Sequence, residues 1–152
     1  EIEIEKGIEA WSSVGAVVKL SYYQSMLAEA LLLTKDTVGT LQQIDTALEM
    51  VEGNGEGFFH AEILQIRSEL LALQDDHLIS SDCPAANFRN ALAIAQVQNA
   101  RGLELRALTS LVRNEQRLGQ PPDLDRLARL LQSVDSQSQN ADVVRAKSLL
   151  PI

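Results

Sequence analysis

The chain has 152 residues, 45% of them hydrophobic and 22% charged, a balance that suits one globular domain and argues against extensive disorder. Its formal net charge is −8, and dividing it after Asp76 sets 4 basic residues against 14 acidic in the first part and 9 against 7 in the second. An acidic surface repels phosphate backbones, which argues against DNA and RNA as partners and favours a basic protein or peptide.

Ile4, Ile8 and Trp11 follow i, i+4, i+7 spacing and predict a first helix ending near Ser12, although EIEIE alone alternates like a strand. The run VVKLSYYQSMLAEALLL predicts a second helix with Leu20, Tyr23, Leu27, Ala30 and Leu31 on one face. Asp36 then caps a third, whose seam is Leu41, Ile44, Leu48 and Val51. The glycines of EGNGEG end it, because glycine reaches the left-handed conformations of helix ends.

A fourth helix is predicted on Phe59, Ile63, Ile66, Leu70 and Leu73, and DDHLISSD breaks it. Asp82 and Pro84 start a fifth, carrying Phe88, Leu92 and Ala95. The chain is expected to turn between Gln98 and Gly102, after which Leu105, Leu108 and Val112 form a new stripe. The sharpest break is Gly119, Gln120, Pro121 and Pro122, followed by a helix on Leu124, Leu127, Leu131 and Val134. DSQSQN separates it from a last helix through Val143, Ala146 and Leu150.

The expected fold class is therefore all-α, with about eight amphipathic helices in consecutive antiparallel pairs. A helical repeat places small residues where helices cross closely. Leu27, Ala28 and Leu31, then Thr40, Ile44 and Ala47, satisfy that order; Ile66 or Arg67, Ser68 and Leu71, then Pro84, Phe88 and Ala91, satisfy it again about 40 residues on. A third unit begins with Ala107 and Ser110 and continues less clearly with Leu124, Ala128 and Leu131. This is the order of the tetratricopeptide repeat, stacked as a right-handed superhelix in one domain over residues 1–152, with a plain antiparallel bundle as the alternative.

The stretches GIEAW, LAEA at Leu27 to Ala30, RSELL at Arg67 to Leu71, AKSLL at Ala146 to Leu150 and above all FRNALAIAQVQNARGLELRALTSL carry a more particular likeness. Together they resemble the C-terminal tetratricopeptide-like region of large bacterial signalling proteins, in which a nucleotide-cyclase or transcription-regulator domain is joined to a P-loop ATPase module. The chain departs from that pattern at Lys35, at Thr40 and in DSQSQN. The resemblance implies a non-enzymatic interaction or regulatory module in the cytoplasm, working with neighbouring domains of the same polypeptide and needing no cofactor of its own. The missing initiator Met fits the expectation of a piece of a longer chain.

Candidate chemistry is sparse. There is no GxxxxGK[ST] phosphate loop, and EGNGEGFF lacks the Lys and Ser or Thr that would make one. His60 and His77 have no partner at metal-ligand spacing, and the single Cys83 offers neither an internal disulfide nor a metal-spaced pair, in keeping with a reducing cytoplasmic setting. No apolar run approaches the roughly 20 residues that cross a bilayer, and the start lacks the order of a signal peptide. Asp75, Asp76 and His77 could form a general-base cluster of a small helical hydrolase, against the simpler reading of a solvated loop. Arg106, Arg113 and Arg117 fall near one helix face that could meet an anion or an acidic helix, against a solvated face.

In tetratricopeptide arrays the first helix of each pair lines a concave groove. Counting from Ala28, Ser68 and Ala107, the groove positions are Tyr22, Ser25, Glu29 and Leu32; Glu62, Gln65, Glu69 and Ala72; and Arg101, Glu104, Leu108 and Leu111. Four are glutamates and one is basic, so the expected partner is an extended or helical segment carrying Lys or Arg. Self-association into a homo-oligomeric scaffold through an uncapped repeat end stays open beside it.

Overall fold

The computed structural model describes residues 2–13, 20–34, 37–54, 57–73, 83–134 and 140–151. They are all-α: eight α-helices, one 3-10 turn and no strand among the described residues. The helices are α1 (Ile2–Ser13), α2 (Leu20–Thr34), α3 (Thr37–Asn54), α4 (His60–Leu73), α5 (Pro84–Val97), α6 (Arg101–Arg117), α7 (Leu124–Ser133) and α8 (Ala141–Leu149), with the 3-10 turn Gly57–Phe59 leading into α4. Asp36, Asp82, the loop DDHLISSD beyond Leu73 and residues 135–139 of DSQSQN lie outside the described residues.

Contacts divide the chain into two compact units, Glu1–Asp75 and Asp76–Ile152. In the first, α2 packs on both α3 and α4, α3 packs on α4, and α1 rests on α2. Its core gathers Ala28 from α2, Ile44, Ala47 and Val51 from α3, and Ile63, Ile66 and Leu70 from α4, with Leu41, Leu48 and Phe59 against its margin. These are the apolar positions that recur every three or four residues, and burying such stripes against one another is what holds short helices that would be marginal alone. Arg67 of α4 is joined to α3 through Asp45 Oδ1 at 3.0 Å.

In the second unit α6 packs on α5, α7 and α8, and α7 packs on α8. Phe88 of α5 is enclosed with Ala85 and Leu111, while Leu105, Leu108, Val112 and Leu127 are buried elsewhere along the same helices. The third-unit triplet read from sequence shifts here: Leu127, Leu130 and Leu131 are the buried residues of α7, and Ala128 is only half-buried. Arg106 Nε meets Asp142 Oδ2 at 3.0 Å, joining α6 to α8, and Arg89 Nη2 meets Glu115 Oε1 at 3.1 Å, joining α5 to α6.

The turns after α5 and α6 end in the same way. Asn99 (φ 55°) and Gly119 (φ 66°) take the left-handed conformation. The next amides then reach back five residues, Ala100 to the Ala95 carbonyl and Gln120 to the Glu115 carbonyl, both at 2.9 Å. Asparagine tolerates that conformation through local bonding of its short side chain. Gly102, expected within this bend, instead lies in the first turn of α6.

A Cβ at Gly119 or at Gly102 would meet nothing within 4 Å, so backbone conformation alone decides the effect of adding one. Gly119→Ala is therefore expected to cost about 1 kcal/mol, and Gly102→Ala to add about 0.5 kcal/mol by limiting the unfolded chain. Opposite displacements of the urea midpoint would check both.

Candidate functional site

Among the groove positions of the first unit, Tyr22 and Ser25 lie on α2, and Glu62, Gln65 and Glu69 on α4. The Ser25 hydroxyl is buried and donates to the Tyr22 carbonyl at 2.7 Å. Gln65 is buried as well, its Nε2 donating to Glu69 Oε1 at 3.3 Å. Tyr22, Glu62 and Glu69 are half-buried, and the Glu29 side chain lies outside the described residues. Tyr22, Glu62 and Glu69 thus keep part of their surface exposed, whereas Ser25 and Gln65 do not.

Arg101 and Glu104 belong to the second unit, at the start of α6. Arg101 is exposed, but Glu104 is buried, and its two carboxylate oxygens accept separately from Gln96 Nε2 at 2.9 Å and Arg101 Nη1 at 2.8 Å. A carboxylate in the first helical turn is further favoured by the partial positive charge there. With both oxygens occupied, Glu104 holds α5 to α6 across the Asn99 bend.

The three arginines that could have met an anion all lie on α6 and differ in their surroundings. Arg106 is on Asp142, Arg117 donates to Asn114 Oδ1 at 3.4 Å, and Arg113 is exposed. Asp75, Asp76 and His77, the alternative catalytic cluster, lie outside the described residues. His60 is half-buried on α4, and Cys83 is exposed at the head of α5, where it makes no side-chain cap bond. Among the described residues no three His, Cys, Asp or Glu side chains converge as metal ligands would, and no helix is long and apolar enough to cross a membrane.

The structure also assembles a feature that reading along the chain missed. Five of the six aromatic residues form one continuous series of ring contacts in the first unit. Trp11 of α1 meets Tyr23 edge-on (centroids 6.0 Å), Tyr23 meets Tyr22 (5.9 Å), Tyr22 stacks on Phe59 (4.6 Å, planes 29° apart), and Phe59 meets Phe58 (5.0 Å). The signal in the sequence was the two doublets, Tyr22–Tyr23 and Phe58–Phe59. Neighbours on a helix point about 100° apart, so a doublet cannot bury both rings on one face.

The described residues define an all-α protein. No protein-family model, curated protein or solved structure matches the chain.

Proposed function

We propose that this chain is a non-catalytic protein-interaction or regulatory module built on tetratricopeptide-like helix pairs, serving a cytoplasmic bacterial signalling protein of the kind its sequence resembles. The observation that carries the reading is the α2–α3 crossing. Ala28, Thr40, Ile44 and Ala47, the small, small, large, small positions of such a pair, are all fully buried. Side chains of that size let two helix axes approach closely while the large member fills the space between them. The packing of α2 on α4 as well as on α3 supports the same reading, since successive first helices then lie side by side.

Acidic residues outnumber basic ones by 13 to 4 between Glu1 and Asp75, so the partner that fits is a segment carrying Lys and Arg. Calorimetric titration with a short helical peptide bearing both residue types tests this. Glu62→Lys combined with Glu69→Lys is expected to weaken binding at least about tenfold, and added salt to weaken the wild-type complex. Equal binding by both proteins, or none by the wild type, would overturn the reading.

A further inference from the structure

We propose that the aromatic series of the first unit is the anchor of this interaction surface and receives an arginine of the partner segment, its guanidinium stacked on the ring faces. The inference rests on the basic-partner reading above and adds where the segment is gripped and by which residue type. Trp11 is 40% exposed, Phe58 75% and Met26 38%. Met26 follows Tyr22 and Tyr23 by four and three residues on α2, which puts it on their face of the helix. Rings held only to complete a core would be buried.

Ring geometry suits a planar cation. The Tyr22–Phe59 pair is stacked, Trp11 with Tyr23 and Phe58 with Phe59 meet edge-on, and Phe58 stays 75% exposed beside these contacts. Aromatic faces carry the negative part of the ring quadrupole and attract cations. Guanidinium is flat and weakly hydrated, so it stacks on such faces at a lower desolvation cost than the compact lysine ammonium.

Charge selects among the occupants an exposed aromatic surface could take. In sequence, α1 and α2, which carry rings, and α4, into which the 3-10 turn leads, hold Glu3, Glu5, Glu9, Glu29, Glu62 and Glu69 against Lys6 and Arg67. Nucleic-acid bases also stack on aromatic side chains, but their phosphates would meet this acidic field. A second copy docking through the same patch would bring the same excess of carboxylates to the contact. An arginine-bearing segment satisfies the rings and the field together.

Trp11 is the only tryptophan of the chain, so its fluorescence reports on the patch directly. The probes are an alanine-based helical peptide bearing arginines and the same peptide with every arginine replaced by lysine. The arginine peptide is expected to perturb Trp11 emission and to bind about fivefold more tightly than its lysine counterpart. Phe58→Leu, which keeps an apolar side chain and removes the ring, is expected to erase that preference, with circular dichroism unchanged because Phe58 is largely exposed. Phe58→Ala should act alike. If both peptides bind equally and Phe58→Leu changes nothing, while Glu62→Lys with Glu69→Lys still abolishes binding, this inference is wrong and the proposed function stands. If neither peptide binds, both fall. Concentration-dependent sedimentation of the wild type that disappears in Phe58→Leu would assign the patch to a second copy and overturn the inference.

Discussion

Phe88→Ala is expected to lower the free energy of unfolding by about 3 to 5 kcal/mol, among the largest effects of a single substitution in this chain. Phe88 is 1% exposed between Ala85 and Leu111, where α5 packs against α6. Truncation would remove the ring's transfer free energy and leave a void that helices held by the Arg89–Glu115 bridge and the Glu104 contacts can fill only in part. Phe88→Leu retains most of the volume and is expected to cost well under half as much. Urea denaturation followed by circular dichroism separates the two, and equal midpoints for Phe88→Ala and wild type would show that Phe88 does not support this seam.

Ile44→Ala should cost about 2 to 5 kcal/mol, and Ile44→Val only about 0.5 to 1.5 kcal/mol. Ile44 is fully buried in a cluster drawn from three helices, with Ala28 of α2, Ala47 and Val51 of α3, and Ile63, Ile66 and Leu70 of α4. The alanines that let the helices approach cannot extend to fill a cavity, so little relaxation is available to reduce the penalty. Denaturation followed both by Trp11 fluorescence and by circular dichroism is the appropriate measurement, since Trp11 lies in the same compact unit as Ile44.

Much of the helical content was legible because its causes are local. The seam of Leu41, Ile44, Leu48 and Val51 lies on α3 as its spacing implied, and Gly119 with the two prolines breaks the chain where the residue types require. Periodicity assigns a face but does not say how far a neighbour extends along it. Leu73, in phase with the core face of α4, is 73% exposed at the last position of the helix. Because glycine weakens helices, the sequence suggests a bend that includes Gly102, whereas Asn99 supplies the left-handed residue and Gly102 is accommodated in the first turn of α6.

The candidate surface was less legible. Counting groove offsets brought out Tyr22, Glu62 and Glu69, which are half-buried, together with Ser25, Gln65 and Glu104, which are buried and bonded within their own units. A count along a helix fixes an angle around its axis, whereas burial depends on what another helix places opposite. Glu104 reads from sequence as one more surface carboxylate, and only the approach of Gln96 and Arg101 makes it an internal tie.

By itself, then, the sequence determined the all-α class, the helical stripes and the acidic character of the first half, because backbone preference, apolar spacing and net charge are properties of short segments and of composition. Tertiary structure alone decided the aromatic series. Trp11, the Tyr22–Tyr23 doublet and the Phe58–Phe59 doublet come from three places in the chain, and they meet because α1 rests on α2 and α2 packs beside α4. No local pattern encodes that meeting. It arises from burying apolar stripes on the inner faces of the helices, which brings the rings at their margins into contact.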